Sequence, residues 1–240
     1  MRVYALTDIG SVRAVNQDSY FVPASGEPYC CIADGMGGAQ AGEVASAMAV
    51  EVFEAYMKDI LPPPHERLRR AVAAANKAIY ERSLAEPSTA GMGTTITALL
   101  IDGEEAHIAH VGDSRAYLLR NRALMRVTTD HTLVEEMVLK GVITVREAKT
   151  HPRRNIITRA LGTSPSVEID LLRIHVEPTD VFLLCSDGLS SYVGEHEILE
   201  ILNSRMKREN KPAALVDKSL DAGGHDNVTV LLVTLEEAGQ

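Results

Sequence analysis

Residues 94–127 read TTITALLIDGEEAHIAHVGDSRAYLLRNRALMRV, and this stretch decides the fold class. Asp102-Gly103-Glu104 and Asn121-Arg122 are short polar turns within it. They separate apolar runs at 94–101, 106–111, 116–120 and 124–127. Apolar runs of strand length that are joined by tight polar turns predict antiparallel strand pairs.

Helical patterns flank these strands on both sides. Apolar residues recur at helical spacing over Gly42 to Lys58 and Glu66 to Leu84, and again over Glu195 to Met206 and Pro212 to Ala222. Further strands are predicted at 3–7, 20–22, 29–33, 168–176, 181–186 and 227–235. This order predicts an α+β fold in which helices cover the outer faces of stacked antiparallel sheets.

The composition is that of a folded acidic chain, with 240 residues, 45% hydrophobic residues and a formal net charge of −9. The nearest basic run, His65 to Arg70, is interpreted as a solvated helix face, so no nucleic-acid partner is expected. No apolar stretch reaches membrane-spanning length, and the start of the chain has no apolar signal core. We therefore expect no membrane insertion and a cytoplasmic location. Cys30, Cys31 and Cys185 are expected to be buried, reduced thiols.

Several aspartates occupy a recurring place at the ends of apolar strands. Asp34, Asp113 and Asp187 each follow an apolar run and stand beside a glycine or a turn, and Asp226 comes just before the last strand. Converging carboxylates repel one another unless a cation lies between them, and an all-oxygen ligand set suits Mg²⁺ or Mn²⁺. Asp102, in the Asp-Gly turn between two strands, is assigned no role.

An ordered set of motifs spans nearly the whole chain. The motifs are Arg13-x-x-Asn16-Gln17-Asp18, Ala33-Asp34-Gly35-Met36-Gly37-Gly38, Met92-Gly93-Thr94-Thr95, Val111-Gly112-Asp113-Ser114-Arg115, Asp130-His131, Ser186-Asp187-Gly188 and Gly223-Gly224-His225-Asp226-Asn227-Val228-Thr229. With them the chain resembles the type 2C metal-dependent protein phosphatases (the PPM family) in their compact bacterial form. The resemblance implies a four-layer αββα sandwich with a metal site at one end. It also implies one catalytic domain over 1–240, with a variable flap at about 133–166.

The resemblance also implies roles for individual residues in binding two Mn²⁺ or Mg²⁺ ions. Asp34 is expected to bridge the two ions, and Asp187 and Asp226 to complete the shell of the first. The Gly35 carbonyl and water are expected at the second ion, where Asp18 acts through water.

A third, weaker ion is implied at Asp113 together with Asp187. Two features of the sequence weigh against it. Asp113 has an alternative role as a hydrogen-bond partner of Ser114 or Arg115, and Ser191 stands where many relatives have an acidic residue.

Arg13 matches the phosphate-binding arginine of the family, and a guanidinium fork suits two phosphoryl oxygens. The alternative for Arg13 is a surface salt bridge. The implied reaction is hydrolysis of phosphoserine and phosphothreonine by a water that two cations activate. Phosphorylated proteins are then the substrates, a serine/threonine kinase is the opposing partner, and a monomer is expected. A catalytically silent phosphoprotein-binding relative and a hydrolase of small phosphoesters are the rival interpretations.

The general acid is unassigned by sequence. Many relatives have a histidine just after the bridging aspartate, where this chain has Met36 and Ala39. His110 and His131 are interpreted as structural, and Asp130-His131 as a structural hydrogen-bonded pair. The basic residues Arg153 and Arg154 of the flap are either solvated charges or contacts for an acidic or phosphorylated substrate.

Overall fold

The computed structural model describes residues 1–24, 27–37 and 41–235. Gly38 and Ala39, both named in the sequence analysis, lie outside the described residues. The chain forms two antiparallel sheets, and each contains hairpins of consecutive strands together with strands that are distant along the chain.

One sheet has the strand order β1-β11-β10-β7-β8. Its strands are β1 (Arg2–Asp8), β7 (Arg115–Arg120), β8 (Ala123–Arg126), β10 (Val181–Cys185) and β11 (Val228–Thr234). The other sheet has the order β2-β3-β5-β6-β9, with β4 paired to β3. Its strands are β2 (Asp18–Phe21), β3 (Tyr29–Met36), β4 (Gly93–Thr94), β5 (Ile96–Asp102), β6 (Glu105–Val111) and β9 (Asp170–His175).

The helices form the outer layers and the flap. They are α1 (Ala41–Met57), α2 (Pro64–Ala85), α3 (Leu133–Leu139), α4 (Val145–Lys149), α5 (Asp187–Ser190), α6 (Glu195–Asn203) and α7 (Lys211–Asp221). Pro64 is the first residue of α2, where its missing N–H and fixed φ are tolerated. Gly141 follows the end of α3 and has a φ of 69°, which glycine adopts easily.

Three apolar cores separate four layers, so the predicted αββα sandwich is confirmed. Phe53 and Leu68 belong to the core between the α1/α2 layer and the second sheet, and Leu215 to the core between α6/α7 and the first sheet. Phe182 and Leu99 pack between the sheets. Cys30 lies in the core between the sheets and the adjacent Cys31 in the helix-facing core, because successive side chains of a strand point to opposite faces.

All three cysteines are buried and unpaired, as the sequence predicts. None of the helices in the described ranges combines the length and the apolar character that a membrane-spanning segment needs. The predicted strands and long helices are all present, and their ends differ by a few residues. The four-residue helix α5 is a difference, since the sequence gives no helical pattern at Asp187–Ser190.

Candidate metal centre

The first part of the site is a pair of aspartates on neighbouring strands. Asp18 opens β2 and lies directly opposite Asp34 of β3 in the antiparallel register. The Oδ2 atom of Asp18 accepts hydrogen bonds of 2.7 Å from Ser186 Oγ and from Thr229 Oγ1. Its Oδ1 atom is buried without a hydrogen-bond partner among the described residues. The two hydroxyls therefore fix one face of the Asp18 carboxylate and leave the other face for a ligand.

The second part comes from the other sheet. Asp187 is the first residue of α5, directly after β10, and Asp226 comes two residues before β11. Strands β10 and β11 are neighbours, so their site-facing ends meet beside the end of β3. Gly188 allows this closeness, because a Cβ atom at that position would lie 1.9 Å from the Asn227 carbonyl oxygen.

Position 35 also leaves no room for a side chain. A Cβ atom there would lie 2.0 Å from the carbonyl oxygen of Gly42, at the start of α1. The Gly35 N–H donates to the Gln17 carbonyl at 3.1 Å. The backbone beside Asp34 is thus held between the start of α1 and the segment that leads into Asp18.

The electrostatics are those of carboxylates brought together. Burial raises the pKa of Asp34 well above its usual range, and the charges of Asp18, Asp187, Asp113 and Asp226 raise it further. The pKa of Asp187 is also raised well above its usual range, first by burial and then by the charges of Asp113, Asp226 and Asp18. Each carboxylate therefore lies within electrostatic reach of the others, in surroundings that disfavour its negative charge.

Asp113 follows β6 and is buried, and its pKa is raised first by burial and then by Asp130. Its Oδ1 atom has no hydrogen-bond partner in the described part of the chain. The alternative role, a hydrogen bond to Ser114 or Arg115, is not the one observed. Arg115 binds Asp130 instead, at 2.6 Å, and Ser114 Oγ lies 2.9 Å from Thr95 Oγ1. Asp113 is thus brought into the group of carboxylates with one free, buried oxygen.

Arg13 lies at the edge of this group. Its Nη2 atom donates to Asp226 Oδ2 at 2.8 Å, so the predicted phosphate ligand contacts a predicted metal ligand. The side chains of Arg13 and Asp226 are 50% and 24% exposed, and an ion pair that exposed contributes at most about 1 kcal/mol. A stronger partner for either side chain would therefore separate them.

Asn227 holds the loop that carries Arg13, residues 9–17, against the site. Its Nδ2 atom donates to the carbonyls of Ile9 and Val15, and its Oδ1 accepts from the Gln17 N–H. The Asn227 backbone N–H also donates to Asp226 Oδ1, so Asn227 joins the turn at Asp226 to the Arg13 loop.

The carboxylates of the site are close together without being arranged as a finished metal site. Among the residues described, no three His, Cys, Asp or Glu side chains form a ready-made ligand set. Asp226 is one carboxylate engaged elsewhere, since Arg13 contacts one of its oxygens and the Asn227 N–H the other. The all-oxygen donors, the mutual repulsion and the buried free oxygens of Asp18 and Asp113 nevertheless fit hard cations such as Mg²⁺ or Mn²⁺.

The residues of the predicted Asp130-His131 pair bind other partners. Asp130 accepts two bonds from the guanidinium of Arg115, and His131 accepts from the Gly112 N–H and lies 3.1 Å from Asp170 Oδ2. The described structure contains no hydrogen bond between Asp130 and His131, so the predicted pairing of these two residues is wrong. Both side chains nevertheless make structural contacts.

His110 is fully buried between Thr97 Oγ1 and the Thr129 carbonyl. Burial, and then the nearby His131, lowers the pKa of His110 to about 4. Thr94 and Thr95 also act structurally, because Thr95 Oγ1 accepts from the Asp34 N–H and Thr94 Oγ1 donates to the Asp34 carbonyl.

Three site residues have no place in the sequence predictions. Ser186 and Thr229 hold Asp18, and their positions beside Asp187 and Asp226 are the only signal that the sequence offers. Tyr192 lies near the rim, where its pKa is raised first by burial and then by Asp187 and Asp226. The positive charges of Arg154, in the flap, and of Arg13 act in the opposite direction on the same pKa.

Comparison with known proteins agrees with this geometry. The sequence model described as protein phosphatase 2C matches residues 11–222. The chain belongs to the protein phosphatase 2C family. It is 41% identical over 234 residues to the serine/threonine phosphatase stp of Listeria monocytogenes, covering 95% of this chain and 93% of that protein. It is 42% identical to the serine/threonine protein phosphatase PstP of Mycobacterium tuberculosis, covering 97% of this chain and 44% of that protein.

Solved structures agree as well. The crystal structure of the Mycobacterium tuberculosis phosphatase PstP/Ppp superposes with a TM-score of 0.91, at 42% identity, over 98% of this chain and 99% of that chain. The PstP catalytic domain in complex with two manganese ions gives a TM-score of 0.88 at 39% identity, over 98% of each chain. The predictions of a metal-dependent serine/threonine protein phosphatase, and of Mn²⁺ or Mg²⁺ as its cofactor, are confirmed.

Proposed function

We propose that this chain removes phosphoryl groups from phosphoserine and phosphothreonine of proteins at the centre built from Asp18, Asp34, Asp187 and Asp226. The observation that carries the assignment is electrostatic. Buried carboxylates from both sheets converge at one end of the sandwich, and they raise one another's pKa values. These carboxylates can all be ionised at once only when cations lie among them.

The proposed ligand roles follow from position. Asp34 lies between Asp18, on the neighbouring strand, and Asp187, from the other sheet, so it is the side chain placed to contact two ions. Asp187 and Asp226 would complete the shell of one ion, and the Gly35 carbonyl would serve the other. Asp18 would act through water, and Asp113 would bind a third, weaker ion. When bound, the ions supply an activated water and positive charge for the phosphoryl oxygens.

Arg13 is proposed to bind the phosphoryl group of the substrate. Its guanidinium lies at the mouth of the site, and its ion pair with Asp226 is weak enough to exchange. If Asp226 served a cation instead of Arg13, the guanidinium fork would be available to two phosphoryl oxygens. Asn227 positions this arginine by fixing the backbone of residues 9–17.

The proton for the leaving serine or threonine oxygen is not assigned to His110. That imidazole is fully buried, with its two nitrogens 2.9 Å from Thr97 Oγ1 and 3.1 Å from the Thr129 carbonyl. His131 is bound in the same manner, between the Gly112 N–H and Asp170. Both side chains act as structural groups in this proposal.

The wider assignment is a single catalytic domain over 1–240, in which the flap at 133–166 faces the protein substrate. A phosphoprotein substrate requires a serine/threonine kinase as the opposing enzyme. The three unpaired cysteines suit the reducing cytoplasm, and the net charge of −9 disfavours self-association, so a cytoplasmic monomer is proposed.

The test is a Mn²⁺-dependent assay on matched phosphoserine, phosphothreonine and phosphotyrosine peptides, with p-nitrophenyl phosphate as the small phosphoester. We expect hydrolysis of the first two peptides, loss of activity with EDTA, and loss of activity in Asp34→Asn. The matched control is Asp102→Asn, which changes an Asp-Gly turn far from the site and should retain activity. EDTA-resistant activity, or full activity in Asp34→Asn, would refute the proposed centre. Faster hydrolysis of the small ester than of every peptide would refute the protein substrate.

A further inference from the structure

A cavity of about 260 Å³ lies at the opposite end of the first sheet from the metal centre. The turn between β7 and β8 meets α6 and the start of α7 there. Its apolar floor includes Leu119, Val181 and Leu232, and three cationic side chains, Arg122, Arg208 and Lys211, line it. We call this cavity the basic pocket.

The charge of the basic pocket is unbalanced. No acidic side chain of the described chain lines it, although the protein as a whole carries a net charge of −9. Within the described ranges, neither the Arg122 nor the Arg208 guanidinium forms an ion pair. The neighbouring Arg120, in contrast, is paired with Asp180.

The walls are held in place before any ligand arrives. Asn203 Nδ2, at the end of α6, donates to the Arg122 carbonyl at 3.0 Å. Lys211, the first residue of α7, is 8% exposed, and its Nζ donates to the Leu202 carbonyl. That bond uses one of the three N–H groups of the ammonium. Burial, and then the charge of Arg208, lowers the pKa of Lys211, so its positive charge lacks compensation.

The start of α7 adds to the positive electrostatic potential of the basic pocket. In the described structure no side chain caps this helix, which is 11 residues long, and its N-terminal end carries partial positive charge. Lys211 places that end at the wall of the pocket.

Arg122 has an unusual backbone. Asn121 and Arg122 both have positive φ, 51° and 63°, as a two-residue hairpin turn of the first primed type requires. The preferred pair for such a turn is Asn-Gly, and a long side chain in the left-handed region is uncommon. A strained residue is kept where the structure or the function demands it. Here the strain coincides with a guanidinium that lines a pocket without a counter-charge.

We propose that the basic pocket binds a small tetrahedral oxyanion of charge −2, the phosphoryl group of a phosphomonoester being the type. Two arginines and a lysine line the pocket, and this concentration of positive charge favours a phosphoryl dianion over a singly charged carboxylate. The volume falls just below the roughly 300–1,000 Å³ of pockets for drug-sized ligands, so only a small group fits. This is a second anion site, separate from the site where phosphate leaves the substrate.

The test is a titration of the Mg²⁺-loaded protein with inorganic phosphate, followed by amide shifts in ¹H–¹⁵N NMR spectra. Saturable shifts are expected at Asn121, Arg122, Asn203 and Lys211, and separately at the metal centre. Sulfate should reproduce the shifts in the basic pocket, and acetate should not. A phosphonate-bearing peptide that binds there more tightly than methylphosphonate would identify a protein-borne group, and equal binding would identify a small molecule.

Two substitutions and a matched control decide the outcome. The double variant Arg122→Gly/Arg208→Ala should weaken phosphate binding in the pocket at least tenfold and leave the shifts at the metal centre unchanged. Arg122→Gly alone should raise the Tm, because glycine relieves the backbone strain. The control Arg205→Ala removes an exposed arginine that does not line the pocket, and it should bind as the parent does. Non-saturable shifts, equal shifts with acetate, or equal weakening in Arg205→Ala would overturn the proposal.

Discussion

Replacing Thr229 by valine tests whether the hydroxyl contacts to Asp18 govern the affinity of the metal centre. Thr229→Val keeps the shape of the side chain and removes one of the two hydroxyls that donate to Asp18 Oδ2. A buried hydrogen bond to a carboxylate contributes about 1.5–3 kcal/mol. Its loss disfavours the anionic form of Asp18, whose pKa is already raised by burial.

The size of the effect on metal binding follows from the same contact. Losing a group that orients a metal-site carboxylate typically weakens affinity by about 10–100-fold. A change of that size corresponds to about 1.4–2.8 kcal/mol, which matches the hydrogen bond removed. We therefore expect the Mn²⁺ concentration for half-maximal activity, and the Mn²⁺ Kd from calorimetry, to rise about 10–100-fold.

Thr97→Val is the matched control. Thr97 is equally buried, but its hydroxyl contacts the neutral partners His110 Nδ1 and the Ser114 carbonyl. Both variants should unfold at lower urea concentration, and only Thr229→Val should change the Mn²⁺ dependence. An unchanged Mn²⁺ Kd in Thr229→Val, or an equal change in Thr97→Val, would refute the role given to the hydroxyls.

Three further predictions concern other parts of the structure. Asp34→Asn should abolish hydrolysis and stabilise the metal-free protein against urea, because it removes one of the repelling charges; a lower urea midpoint would contradict this. Arg13→Ala should raise KM for phosphopeptides about tenfold. This corresponds to the lower end of the free energy of a hydrogen bond to a charged group, because the Arg13 side chain is half-exposed. An unchanged KM would argue against phosphate binding by Arg13. His110 has a pKa of about 4 when folded and about 6.5 when unfolded, so between these values the unfolded chain takes up the extra proton. Acidification from pH 6.5 to 4 should therefore destabilise the parent by about 3 kcal/mol relative to His110→Gln in urea titrations, and parallel pH profiles would contradict the assignment.

Much of the fold could be predicted from local patterns. The strand pairs of 94–127 are joined by turns whose residues are chosen for positive φ, such as Gly103 and Asn121, and these turns determine the pairing. The helices over 41–57 and 64–85 show their apolar stripe directly. The short helix α5 could not be predicted, because four residues contain barely one turn and no period.

Some residues of the site could also be predicted from local sequence patterns, and others could not. Asp34 and Asp187 could be found because each combines an apolar strand, an aspartate and a glycine within a few residues. Ser186 and Thr229 could not be assigned, because their contact with Asp18 joins residues 168 and 211 positions apart. The ion pair of Arg13 with Asp226 spans 213 positions and is equally invisible to local patterns.

Asp226 differs from Asp34 and Asp187 in how it is held. Asp34 and Asp187 are half-buried, with Asp34 inside β3 and Asp187 at the start of α5. Asp226 lies outside a strand, is partly exposed, and shares its two oxygens between Arg13 and the Asn227 N–H. A cation bound between Asp34 and Asp187 would relieve their repulsion, and recruiting Asp226 to it would require only a weak surface ion pair to break. Arg13 would then lose its carboxylate partner and be free to bind phosphate. We therefore expect metal binding and phosphate binding to be coupled through Asp226, which contacts both Arg13 and the Asn227 N–H.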